Sequence, residues 1–304
     1  MVRSVDYDNV VAAFFRPSPP GVVPAPVLDA SPARRLRDAI EPLAMHSVWS
    51  RATNERLNAF GLDFLQRYVA PRAALLGDPD PGVVVAAFGV FSPDLLVPTY
   101  EAARAACDRD ELLAARDEST AASLRAVLGD VDVAPVADRL VAALSGCAAA
   151  GRPLFAGGVR LALPDDPFGR LWRACELARE HRGDSHVAAC IADGWGPIAM
   201  NVLTEVWVGM PLGSYSATRG WRAEQIAETT AALRAAGLLD GDLLSDAGRA
   251  RRDALEATTD AMEQPIIDAL GADAGAVTAQ LDEWSNLCVA AGAFPPDAFK
   301  RAAG

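Results

Sequence analysis

Most of the chain repeats apolar residues at intervals of three and four, the spacing that lays one apolar stripe along a helix. The pattern runs through ARRLRDAIEPLAMHSVW (33–49), NERLNAFGLDFLQRYVAPRAALLG (54–77), VVVAAFGVF (83–91), SPDLLVPTYEAARAACD (92–108), ELLAARDESTAASLRAVLG (111–129) and APVADRLVAALSGCAAAG (134–151). Ser31 before Pro32 and Ser92 before Pro93 predict helix starts, each pairing a side-chain acceptor with a ring that presets φ. PLFAGGVRLALP (153–164) breaks the pattern and predicts a short strand or turn. Helices resume from Asp165. GLLDGDLLSDAG (237–248) places Asp240-Gly241 between two leucine pairs, the signal for a hairpin with a two-residue turn. Ser245 then predicts the cap of a long helix, DAGRARRDALEATTDAMEQPIIDAL (246–270). The expected fold is mostly α with one short β-hairpin.

The apolar pattern is interrupted most sharply in LWRACELAREHRGDSHVAACIADGWG (171–196). Leu171, Ala174, Cys175 and Ala178 form one stripe, which continues into His181 and Arg182. Gly183 is expected to end this helix in a left-handed conformation and Asp184 to cap the next. His181, Arg182 and His186 would then meet at an inter-helix corner. Imidazoles with pKa near neutrality suit acid–base work, so His181 and His186 are candidate catalytic groups, oriented by Glu180 and Asp184. Arg179 and Arg182 are candidates to hold a carboxylate or phosphate through their planar forks. The opposing reading is structural: arginine–carboxylate pairs that pin two halves together, and hydrogen-bonded core histidines.

Four of the six tryptophans, Trp172, Trp195, Trp207 and Trp221, fall near this stretch, with Tyr215. Aromatic walls around convergent polar groups suit a small ligand. Trp172, Trp195, Trp221 and Arg219 are therefore expected ligand contacts, against the alternative of a plain aromatic core. His46, Tyr68 and Arg72 join them if the N-terminal half folds over the cluster.

Composition narrows the classes. Among 304 residues, 51% are hydrophobic, enough for a substantial core, and the formal net charge is −12, which opposes non-specific attraction to nucleic acid or anionic membrane. The N-terminus carries Asp6 where a signal peptide needs an uninterrupted apolar run, and no stretch reaches the roughly 18 apolar residues of a membrane span. The five cysteines are scattered without a CxxC pair, the usage of a reduced cytoplasmic protein. His181 and His186 are five apart, not four, and HExxH is absent, so no metal is expected. There is no GxSxG, GxGxxG or phosphate-binding glycine loop, and no cofactor is expected.

The stretch SATRGWRAEQIAETTAALRAAGLLDGDLLSDAGRARRDALEATTD (216–260) resembles the second half of a MarR-type winged helix. An amphipathic helix, Ala223–Ala236, reaches a Gly-Leu-Leu; a wing follows over Gly237–Leu244; Ser245–Gly248 starts a long helix. The preceding helices would be His186–Ala192 and Pro197–Val208. Over about residues 40–290 the chain is also similar to a group of actinobacterial helix-turn-helix proteins, through YVAPRAALLG, REHRGDSHVAA, RGW and the GLLDG wing. The resemblance implies a C-terminal winged helix-turn-helix domain and brings no reaction with it. The expected organisation is a Pro-rich arm over 1–31, an N-terminal helical domain over 32–164, and a winged-helix domain with C-terminal helices over 165–304.

Winged helices that grip DNA carry cations on the recognition helix and wing. Here Arg222 and Arg234 are set against Glu224 and Glu228, and the wing holds Asp240 and Asp242 with no Lys or Arg. Arg249, Arg251 and Arg252 read as a solvated helix face. Small-molecule binding at the junction of the two domains is therefore the leading expectation, with His/Glu acid–base chemistry on an anionic or polar substrate in bacterial specialised metabolism left open. A ligand-responsive DNA-binding regulator is the alternative, and a non-catalytic interaction module the third. A homodimer is expected from the apolar final segment DEWSNLCVAAGAF (282–294).

Overall fold

The computed structural model describes residues 6–18, 21, 23–24 and 30–303. The rest of the Pro-rich arm lies outside the described residues. Within that arm Tyr7–Phe14 form a helix, α1, whose Tyr7 hydroxyl donates to the Trp49 carbonyl at 2.6 Å. α2 (Pro32–Ala44), α3 (His46–Trp49), α4 (Arg51–Asn58), α5 (Phe64–Ala73), α6 (Pro81–Phe88), α7 (Pro93–Ala106), α8 (Arg109–Leu128) and α9 (Ala134–Ser145) follow. The second half comprises α10 (Pro153–Gly158), α11 (Pro167–Ala192), α12 (Pro197–Val208), α13 (Ser214–Thr218), α14 (Ala223–Ala235), β1 (Leu239–Asp240), β2 (Leu243–Leu244), α15 (Asp246–Leu270), α16 (Ala274–Ala290) and α17 (Ala298–Ala303). The protein is mostly α, with one antiparallel hairpin pairing Leu239 with Leu244 and Asp240 with Leu243.

Local signals set several boundaries. The Ser31 hydroxyl accepts from the Arg34 amide at 3.0 Å and opens α2. Ser245 accepts from the Gly248 amide at 3.0 Å and opens α15. Gly248 is needed for packing: a Cβ there would stand 1.9 Å from the Leu238 carbonyl oxygen, so the long helix rests directly on the hairpin backbone.

Two expectations are corrected. Residues 153–158 are helical, not a strand or turn. More consequentially, α11 does not stop at Gly183 but runs unbroken for 26 residues. A glycine inside a helix costs only about 1 kcal/mol relative to alanine, and burial of α11 against α2, α8, α9, α10 and α15 outweighs that. Asp184 is a cap in a different sense from the one expected. It lies buried in mid-helix and accepts the Phe155 amide of α10 at 3.0 Å, capping a neighbouring helix instead of its own. Residues 186–192 are thus the tail of α11, and the short α13 stands between α12 and α14 in the helix-turn-helix.

Leucines and alanines of α2, α8, α9, α11, α15 and α16 share one hydrophobic cluster, with Trp172 at its centre. A second cluster builds the winged-helix unit from Trp195, α12, α14 and the hairpin. A third joins α5, α6 and α7. Glu205, fully buried on α12, ties down the turn into α13 by accepting the Tyr215 and Ser216 amides at 2.8 and 3.0 Å and also the Gly213 amide. No single helix among the described residues is long and apolar enough to cross a membrane.

Candidate functional site

A cavity of about 140 Å³ lies between α2, α5, α6, α11, α12, α15 and α17. At roughly 10–15 Å³ per water this holds on the order of ten waters, or a compact ligand. Its apolar wall comes from Phe88, Val90, Phe91, Val187 and Met200. Its polar wall is a ring of arginines: Arg34 and Arg37 from α2, Arg72 from α5, Arg179 and Arg182 from α11, Arg219 after α13, and Arg252 from α15.

Helical spacing builds this ring. Arg34 and Arg37 are three apart, as are Arg179 and Arg182, so each pair shares one face of its helix. The guanidiniums are held by carboxylates on the same or facing helices. Arg34 reaches Asp38 at 3.1 Å and Glu256 at 3.0 Å; Arg37 reaches Asp38 at 2.7 Å. Arg179 bonds Glu41 at 3.1 Å. Arg182 pairs with Asp260 at 2.7 Å and with Glu256, and Arg252 meets Glu256 at 2.9 Å. Arg72 grips Glu180 with two parallel bonds, 2.8 and 2.7 Å.

Arg219 differs. Among the described residues it has no carboxylate partner. It stacks on Tyr215, 4.1 Å from the ring centroid, and on Phe91 at 4.8 Å, and it donates to the Tyr215 hydroxyl at 2.6 Å. Seven arginines line the cavity, and among the described residues the carboxylates pairing with them are five: Asp38, Glu41, Glu180, Glu256 and Asp260.

The titratable groups nearby register that positive excess. Burial would raise the Tyr68 phenol, yet the guanidiniums of Arg72, Arg179 and Arg219 outweigh it and hold the phenol below its usual value. His186 is pushed down to about 3, first by burial, then by Arg252, Arg182 and Arg34 against the opposing pull of Glu256. Burial raises Glu180, but Arg72 and Arg179 prevail and keep it below the usual carboxylate range. The guanidinium contribution has one sign at all three groups, favouring the anions of Tyr68 and Glu180 and disfavouring the cation of His186.

The residues singled out from sequence divide into two groups. Arg179, Arg182, His186, Arg219, Tyr68 and Arg72 line the cavity. His181 does not: its Nδ1 is bonded to the Glu263 carboxylate at 2.8 Å, with Phe155 edge-on against the ring. Glu180 lies behind the wall, bonded to Arg72. Asp184, raised to about 7 chiefly by burial, faces α10. His46 is fully buried, its Nε2 against the Ser123 hydroxyl at 2.9 Å. The expected meeting of His181, Arg182 and His186 at a helix corner fails because α11 is continuous. His181 turns to Glu263, whereas Arg182 and His186, four residues apart on one helix face, both reach the cavity wall, His186 with its Nδ1 3.2 Å from the Thr259 hydroxyl.

The tryptophans lie outside the cavity wall. Trp172 is fully buried and donates to the Ala44 carbonyl at 3.1 Å. Trp195 sits in the winged-helix core, and Trp221 donates to the Val90 carbonyl at 2.9 Å. Large rings in an Ala-rich chain are drawn into the helix interfaces, which they alone can fill. Arg252, read from sequence as part of a solvated face, is only 2% exposed and stacks 3.9 Å from the Trp207 ring centroid, whereas Arg249 and Arg251 are exposed.

Sequence reasoning missed Arg34, Arg37, Glu41, Arg252 and Glu256. A signal existed in ARRLRDAIE and RARRDALEA: arginines with a carboxylate three or four residues later, interleaved with apolar positions.

The winged-helix unit offers few cations outward. Arg222 pairs with Asp94 of α7 at 2.9 Å, and Arg234 pairs with Asp242 of the wing at 2.8 Å. The turn from α13 to α14 is covered by the start of α7. The Ser92 amide donates to the Arg219 carbonyl at 2.9 Å, and Gly220, at φ +82°, leaves room for Leu95, which a Cβ would meet at 2.6 Å.

The chain matches the model of a helix-turn-helix family over residues 33–295, and it belongs to that family. No curated protein and no solved structure matches it.

Proposed function

We propose that this helix-turn-helix family member binds a small anionic molecule in the arginine-lined cavity, with the helix-turn-helix forming one wall of the ligand site. The observation that carries this reading is the excess of guanidinium over carboxylate around a partly buried cavity. Among the described residues seven arginines meet five carboxylates, and one of the seven, Arg219, is held by aromatic rings and hydroxyl groups without a carboxylate. Uncompensated positive charge in a partly buried space is costly, and an anionic ligand removes that cost. Arginine also supplies the planar donors that carboxylates and phosphates match.

The surroundings favour binding over acid–base turnover. His186, the histidine on the wall, is neutral throughout the physiological range, and His181 is engaged by Glu263 away from the cavity. Thermal unfolding at constant ionic strength tests the reading. Replacing chloride by inorganic phosphate is expected to raise the melting temperature of the native protein by mass action and to leave Arg219→Leu unmoved. Equal melting in both salts would contradict it.

A second reading, a ligand-responsive DNA-binding regulator, is favoured by the family and by the hairpin wing. Against it stand the pairing of Arg222 and Arg234 with acids and the covered turn between α13 and α14. A DNA affinity that drops steeply with salt and is lost in Arg234→Glu would restore this reading.

A further inference from the structure

We propose that the ligand is an amphipathic organic acid, a single anionic head on an apolar body, with about six carbon atoms in all. This rests on the anion-binding reading above and names the ligand class of the same cavity. Arginines alone would suit any anion, inorganic or organic. The wall that is not arginine separates these.

That wall is built by the end of α6 and the connector to α7, and is completed by α11 and α12. Phe88, Val90, Phe91, Val187 and Met200 line it. Phe88 and Phe91 pack edge to face with 5.9 Å between centroids, and Val187 lies against Gly89, where a Cβ would stand 2.9 Å from it. Four of the five side chains carry no hydrogen-bonding group, and Met200 offers only a weak thioether acceptor. The backbone of the connector is engaged too. The Val90 carbonyl accepts from both Asn201 Nδ2 and Trp221 Nε1, each at 2.9 Å, and the Val90 amide donates to the Phe88 carbonyl at 2.7 Å. Water held inside a protein needs about two to four polar partners, which these groups do not supply. An apolar body gains affinity by displacing water held so poorly.

The head meets the opposite wall. Arg219 Nε and Arg182 Nη1 are buried and, among the described residues, have no hydrogen-bond partner. The two walls touch: the Arg72 guanidinium carbon stands 4.4 Å from the Phe88 ring centroid, and that of Arg219 4.8 Å from the Phe91 centroid. An acid group bonded to Arg219 therefore sets its first carbons beside Phe91. Volume limits the body, since an apolar cavity of about 150 Å³ holds one benzene and this cavity is about 140 Å³. A second charge at the far end of such a ligand would be stripped of water against the apolar wall, so one head is assigned.

Isothermal titration of the full chain at neutral pH and fixed ionic strength tests this with the straight-chain carboxylates from acetate to octanoate. Affinity is expected to rise about threefold to fourfold per added methylene and to level off near hexanoate. Hexanoate should exceed by at least about tenfold both 1-hexanol, which lacks the head, and adipate, which carries a second carboxylate at the far end. Arg219→Leu should weaken the whole series. Val187→Ala and Met200→Ala, which enlarge the apolar end, should move the levelling-off to longer acids, a shift that lost stability alone does not produce. Affinity independent of chain length, with acetate and inorganic phosphate still bound, would overturn the apolar body and leave the anion cavity standing. Adipate binding more tightly than hexanoate would overturn the single head. A levelling-off that stays at hexanoate in both enlarged variants would overturn the placement of the body. Binding of neither the acids nor inorganic phosphate would remove the underlying reading too.

Discussion

Arg72 of α5 and Glu180 of α11 hold each other through two parallel hydrogen bonds, 2.8 and 2.7 Å, across 108 residues of sequence. The pair joins the N-terminal helices to the central helix and sets one guanidinium at the cavity wall, its carbon 4.4 Å from the Phe88 ring centroid. Removing one partner of a buried pair typically costs about 3–5 kcal/mol, because the other charge is left uncompensated. Glu180→Ala is expected to lose that much by chemical denaturation, and the double variant Arg72→Met/Glu180→Leu to recover most of it.

The same carboxylate sets an acid limit. Its folded pKa lies below the usual 4.5, so its contribution is complete above 4.5 and is lost as pH falls through the folded value. Glu256, held far down by Arg252, Arg182 and Arg34 against its burial, acts in the same direction. Denaturation curves below pH 4.5 should be shallower in Glu180→Gln than in the native protein.

His46 and His186 act at milder pH. Both are pushed from 6.5 down to about 3, chiefly by burial. A histidine kept neutral in the fold and protonated in the unfolded chain stabilises fully above 6.5, and that stability drains away as pH falls from 6.5 toward 3. Each contributes a slope of about 1.4 kcal/mol per pH unit in that window. His46→Asn and His186→Asn should each flatten the decline between pH 6 and 4.5.

Gly183 tests why one part of the sequence misleads. Arg-Gly-Asp-Ser carries every local mark of a helix end followed by a new cap, yet the helix continues. What overrides the local signal is packing against five other helices, α2, α8, α9, α10 and α15, which no short window contains. A Cβ at Gly183 would meet nothing within 4 Å. Gly183→Ala should therefore stabilise the protein by about 0.4–1 kcal/mol, seen as a small rise in melting temperature. A loss of stability would place a real break in α11 at this point.

Elements fixed by short-range chemistry were legible: the Ser31-Pro32 start, the Asp-Gly turn, the Ser245 cap and the helical periodicity all concern residues within a few positions of one another. Six of the thirteen candidate side chains line the cavity. The rest do not, because whether an arginine on a helix face meets solvent or a facing carboxylate depends on which helix crosses it. Arg249 and Arg252 illustrate this: they lie on one helix in one composition, the first in water and the second beneath Trp207.

Where the hairpin meets α15, no such ambiguity exists. Gly248→Ala must push a methyl group into the Leu238 carbonyl, and overpacking of this kind costs about 1–3 kcal/mol. The melting temperature should fall while the far-ultraviolet circular dichroism of the helices is retained.

Crystals grown or soaked in selenate test the arginine ring as an anion site most directly. Anomalous scattering from selenium should give a peak inside the cavity, within hydrogen-bonding distance of Arg219 or Arg182, and the peak should vanish in Arg219→Leu. Peaks confined to the outer surface, with the cavity holding only water in the same crystals, would contradict it.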